Sequence, residues 1–243
     1  IATLAKPQLL DFSIAFEYPN YLEKRNNSVR NTGDFVVPQG TNVIWNFNTE
    51  NTDQIKVVLH DSSINLNQTG KEEFAFKKRY MQSGNYGLST ANEYLQFLDT
   101  VFYNVDVIPD ARPSIEVDTK KDSLNIQMIY FKGFVKDDYG FNRLQFFRRF
   151  VGASDSIGSF EKQIIPINLA LPATDFYHSL DLTKMALSAG DEVEYFFEIW
   201  DNDGVNGNKS SRTQTFKYKA PTKSELSDKN KKTDELVKKE LEN

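Results

Sequence analysis

A chain of 243 residues is long for one domain and comfortable for two of about 110 residues each, the size at which one β-sandwich closes a core. Its formal charge of −5, with no basic block before the C-terminal end, excludes the electrostatic footprint of a nucleic-acid binder. The absence of cysteine excludes disulfides, thiolate metal sites and cysteine nucleophiles together, while plentiful Phe and Tyr favour strands over helices.

The first residue is Ile1 rather than Met, and no apolar run approaches the length that spans a bilayer. The chain therefore reads as an excised or processed soluble segment, with any signal peptide or membrane helix outside it. Residues 1–12 carry an extended run, and residues 16–21 follow with Pro19, which suits an edge strand or a turn. Pro38-Gln39-Gly40 then turns the chain between strand-like residues 33–37 and 43–47. Further short strands are predicted at 55–59, 74–76, 86–88, 94–97 and 103–107. About seven short strands with frequent turn signals is the pattern of an immunoglobulin-like sandwich.

Pro109-Asp110-Ala111-Arg112-Pro113 interrupts the pattern with two prolines and marks a domain boundary between 1–110 and 111–220. The second half repeats the first loosely, with strands predicted at 114–117, at 127–130 with 133–135, and at 144–148, 163–167, 176–182 and 215–218, and a short helical turn at 183–187. Its strongest stretch is residues 193–200. There Val193, Tyr195, Phe197 and Ile199 share one face and Glu194, Phe196, Glu198 and Trp200 the other, predicting a strand with one deeply buried face. After Pro221 the chain turns Lys-, Asp- and Glu-rich. Thr222 and Glu225 have capping-box spacing, so residues 221–243 predict a charged helix that docks on a partner, starts a longer coiled coil or is a frayed tail.

Three motifs carry a resemblance: Val37-Pro38-x-Gly40-Thr41, Gly133-x-Val135-x-Asp137-Asp138-Tyr139-Gly140, and residues 200–209 around Asp201-Asn202-Asp203-Gly204. With the capped polar helix they resemble the large bacterial envelope proteins grouped as domain-of-unknown-function 4175, over nearly the whole chain. In that family, membrane helices precede tandem Ig-like domains and a long coiled-coil-prone region follows. The resemblance implies an extracytoplasmic place in the periplasm or cell envelope, anchored by membrane segments outside this chain. It implies no activity.

The sharpest site candidate is acidic. In an Ig-like second domain, Asp137 and Asp138 lie in the loop between its second and third strands and Asp201 and Asp203 in the loop between its last two, which cluster at one end. Asp110 of the linker would lie nearby. These five carboxylates form a candidate calcium site, since Ca²⁺ takes several hard oxygen ligands. The alternative is that Asp and Asn occupy turns because their side chains accept backbone N–H bonds, with Arg112, Lys136, Lys209 and Arg212 near in sequence to neutralise them. His60 and His178 lack ligand or catalytic spacing, and no nucleophile elbow or phosphate loop is present, so no enzyme is predicted. Tyr18, Tyr21, Tyr80, Tyr86, Phe146, Phe147 and Phe150 contain either an exposed glycan platform or core rings. The sequence thus predicts two tandem immunoglobulin-like β-sandwiches with a short C-terminal helix, serving as a non-catalytic spacer and protein-interaction or self-association module. A carbohydrate- or peptidoglycan-binding module is the alternative.

Overall fold

Period-two alternation of large apolar and polar residues, bounded by Gly, Pro, Asn and Asp, is what makes this chain pleat into strands. The computed structural model describes residues 5–97, 99–121, 127–152, 157–222 and 224–225. It is all-β, and it divides into two compact units. Unit 1 comprises Ile1–Asp110 with the segment Asp203–Gly207, and unit 2 comprises Ala111–Asn202 with Asn208–Asn243.

Unit 1 contains β1 (Gln8–Glu17), β2 (Asn27–Arg30), β3 (Phe35–Pro38), β4 (Asn42–Glu50), β5 (Gln54–Leu59), β6 (Ser62–Leu66), β7 (Glu73–Arg79), β8 (Gly84–Ala91) and β9 (Val101–Ile108). One sheet has the order β2-β1-β4-β7 and the other β3-β9-β8-β5-β6; β3 runs parallel to β9 while the other pairs are antiparallel. Ile14, Val43, Trp45, Phe47 and Phe74 from the first sheet meet Val37, Ile55, Val57, Tyr86 and Val105 from the second in a single buried core. Such a sandwich keeps its sheets face to face because each has one apolar face to remove from water, worth about 1.5–3 kcal/mol per large side chain. The Pro38-to-Gly40 corner forms as predicted: Gly40 has φ +85°, and the Thr41 hydroxyl donates to the Pro38 carbonyl at 2.7 Å.

The strand expected at residues 94–97 is a correction. Asn92 Oδ1 accepts from the backbone N–H groups of Tyr94 and Leu95 at 3.0 and 2.9 Å, which folds the chain into an Asx-type turn instead. Leu95 and Phe97 alternate with Tyr94 and Gln96 as a strand would require, but a local side-chain acceptor outcompeted a sheet partner.

Unit 2 contains β10 (Ser114–Lys121), β11 (Met128–Lys136), β12 (Phe141–Val151), β13 (Glu161–Ile165), β14 (Ala173–Asp181), β15 (Glu192–Asp201), β16 (Ser210–Arg212) and β17 (Phe216–Lys219). A three-stranded sheet, β10-β11-β14, faces a sheet in which β13, β12 and β15 are neighbours and β16 and β17 both pair with β15. Ile129, Phe131, Val135, Phe176 and Leu180 of the first sheet pack on Leu144, Phe146, Val193, Tyr195, Phe197 and Ile199 of the second. β15 is central to its sheet and is more buried than predicted: Glu194 and Phe196, on the outward face, are buried as well. The helical turn before it is a 3-10 turn at Leu182–Met185, whose Thr183 N–H donates to the Asp181 carboxylate at 3.0 Å.

The capping box also forms. The Thr222 N–H donates to Glu225 Oε2 at 2.7 Å, and the Glu225 N–H donates to the Thr222 hydroxyl at 3.3 Å. The remainder of the charged helix predicted for residues 221–243 lies outside the described residues.

Candidate functional site

The acidic residues singled out in the sequence are placed in both units, Asp110 and Asp203 in unit 1 and Asp137, Asp138 and Asp201 in unit 2. Asp137 Oδ2 accepts from the N–H groups of Tyr139 and Gly140 at 3.0 and 3.1 Å, which closes the turn between β11 and β12. Asp138 accepts from the Ala111 N–H at 3.3 Å. Asp201, fully buried, takes the Lys209 N–H at 2.7 Å and the Lys209 ammonium at 3.1 Å. Asp203 takes the N–H groups of Val205 and Asn206 at 2.7 and 3.1 Å. Backbone donors thus hold four of these carboxylates, as turn chemistry demands. Half-buried Asp110 ends unit 1. Among the described residues, no group of three or more His, Cys, Asp and Glu side chains is placed to hold a metal ion.

The two histidines are far apart in environment. His60 is exposed beside Asp61. His178 is half-buried on β14, its ring 4.5 Å from that of Phe146 and 6.1 Å from that of Phe131. Burial pushes its imidazole below the ordinary histidine range, and the nearby Arg148 guanidinium adds to the shift. It is a core-facing ring. Of the aromatics read as either a glycan platform or core rings, Tyr80, Tyr86 and Phe146 are core residues. Each alternates onto the inner face of its strand or packs under it.

The outward faces of unit 2 differ from each other in kind. On the β12-β15 side the aromatic rings are used internally. Phe147 stacks on Phe196 at 4.8 Å and 9°, the Arg212 guanidinium lies 5.3 Å from the Phe196 ring, and Arg143 covers Trp200 at 4.2 Å. Glu194 is clamped by Lys217 at 2.8 Å and Arg149 at 2.6 Å, which hold its carboxyl below the usual range. The rings of this face are thus stacked on one another or covered by cations.

The face of β10-β11-β14 is open. Register sets three rows across it: Lys120, Tyr130 and Ser179; Asp118, Lys132 and Tyr177; Glu116, Phe134 and Asp175. Directly opposed residues project to the same side of a sheet, so all nine share the solvent face. Each row holds one ring: Tyr130 is 44% exposed, Phe134 41% and Tyr177 69%. Among the described residues none of these rings is stacked on another ring or covered by a cation. With a rise near 3.3 Å per residue and strands about 4.8 Å apart, successive rings along the path Tyr130, Tyr177, Phe134 stand about 8 Å apart at the backbone. Sequence reasoning missed this trio. Alternation in residues 128–136 places Tyr130 and Phe134 on one face, but only the β11-β14 register brings Tyr177 between them.

No protein-family model matches the chain, and no curated protein matches it. Among solved structures it is similar to a protein described as a "putative carbohydrate binding protein" from Bacteroides uniformis ATCC 8492, at 16% identity over 70% of this chain and 89% of that one, with a TM-score of 0.31. It is also similar to fibronectin(III)-like modules of Clostridium thermocellum CbhA, at 10% identity over 79% and 92% of the two chains and a TM-score of 0.25. The first three fibronectin domains of chicken CNTN1 align at 11% identity over 80% and 71%, with a TM-score of 0.27. These likenesses are loose, and the fold stands on the strand order given above.

Proposed function

We propose that the chain is a non-catalytic spacer and protein-interaction module, built of two tandem immunoglobulin-like domains and lying outside the cytoplasm in a membrane-anchored bacterial envelope protein. The observation that supports this reading best is how its ionisable groups are used. Asp137, Asp201 and Asp203 close turns, and His178 fills a gap among phenylalanines, all roles that build a scaffold. What such a scaffold offers to others is its outward sheet faces and edges. Attachment would come from segments beyond this chain, as the resemblance to the domain-of-unknown-function 4175 proteins implies. Among the described residues no helix is long and apolar enough to cross a membrane.

The placement is tested in spheroplasts of cells carrying the full-length protein with an epitope in residues 1–220. Externally added protease is expected to destroy the epitope while a cytoplasmic marker survives. Protection of the epitope until the inner membrane is lysed would overturn the extracytoplasmic assignment.

A second reading, a carbohydrate-binding module, is favoured by the exposed face that carries Tyr130, Tyr177 and Phe134. Rings held rigidly on a sheet lose little entropy on binding, and their faces suit the C–H faces of sugars.

A further inference from the structure

We propose that the solvent face of the β10-β11-β14 sheet binds a neutral polysaccharide, whose sugar rings lie on Tyr130, Tyr177 and Phe134. The proposal rests on the carbohydrate reading and gives it a site and a ligand class.

Three observations carry it. First, the rings are exposed in a unit whose other sheet covers its outward rings: Phe147 and Phe196 stack on each other, and Trp200 lies under Arg143. Second, the rings are separate. The second-row Lys132 stands between Tyr130 and Phe134, and Asp175 stands directly across from Phe134, so the face has no continuous apolar patch of the kind that forms the core of a protein interface. It repeats instead a ring beside hydrogen-bonding groups, row after row. A pyranose chain has that same alternation, an apolar C–H face on each unit and hydroxyls around its edge. Carboxylates such as Glu116, Asp118 and Asp175 accept from hydroxyls and form the stronger, charge-assisted bonds.

Third, the charges of the face cancel. Glu116, Asp118 and Asp175 supply three negative charges, and Lys120, Lys132 and, in the row beside Phe134, Lys136 supply three positive ones. A polyanionic glycan would gain no net attraction from so balanced a face. The complement of this face is an uncharged polymer.

The test is affinity electrophoresis of the full-length protein through native gels containing soluble β-1,3-glucan, β-1,4-mannan, xyloglucan or dextran, with alginate as the anionic comparison. At least one neutral polymer is expected to retard the protein. The Tyr177→Ala and Tyr130→Ala substitutions should each weaken that retardation about tenfold, the scale of one lost ring contact. Phe102→Ala, at an exposed ring of unit 1, should leave it unchanged. All three positions are exposed, and an unaltered urea midpoint for each variant separates lost binding from lost folding. Retardation that survives the Tyr130→Ala, Tyr177→Ala double substitution would overturn the proposal, as would retardation by alginate alone or by none of the polymers. In the last case, envelope cross-links from this chain to a protein partner would leave the interaction-module reading standing.

Discussion

His178 shows how residue chemistry and packing decide between a catalytic group and a core ring. Its imidazole lies against Phe146 and Phe131, and both burial and Arg148 disfavour the protonated form. The folded state therefore binds this proton less readily than the unfolded chain, whose histidine titrates near pH 6.5. The stability that the neutral ring contributes is present above that value and is lost as pH falls below it toward the lowered folded-state pKa. Urea unfolding followed across pH 7.5 to 5.5 is expected to show unit 2 weakening on acidification, with a smaller slope in His178→Phe. An equal slope in the variant would contradict the burial argument. Asp201 and Asp203 belong to the same scale. Their identity as turn residues was legible from Asn and Gly nearby, but which backbone N–H each accepts depends on loop geometry that letters do not carry.

At the scale of elements, β11 is the instructive case. Its alternation was readable, and Ile129, Phe131 and Val135 point inward as the period requires. Gly133 sits at an inward position because Phe176 of the neighbouring strand fills the space: a Cβ there would stand 2.3 Å from the Phe176 ring and 2.9 Å from the Glu116 carbonyl oxygen. Gly133→Ala is expected to destabilise unit 2 by about 1–3 kcal/mol in urea unfolding, since the ring must move off its rotamer. Gly84→Ala, where a Cβ meets open space, should be neutral or slightly stabilising through the unfolded chain. Equal effects at the two glycines would contradict the packing account. β15 was the clearest strand in the sequence, yet its second buried face was not foreseen, because that burial comes from Phe147, Phe160 and Arg212, residues brought there by register. Short β6 and β16 escaped notice for the related reason that Ser-rich segments become strands only when a neighbour supplies the ladder.

For the whole molecule, the all-β class followed from aromatic content and alternation. Function was less legible. The acidic loops drew attention because carboxylates near one another suggest a metal, whereas the open aromatic rows lay hidden in two strands far apart in sequence. A scaffold of this type takes its role from what it presents, so its surface and its surroundings decide the matter. The most direct test is chemical cross-linking of the full-length protein in its native envelope through lysine side chains, followed by purification and mass spectrometry. The account predicts reproducible links from lysines of residues 1–220 to an extracytoplasmic protein or to a second copy of this chain. Links confined to cytoplasmic proteins, or the absence of any intermolecular link while neighbouring envelope proteins cross-link normally, would contradict it.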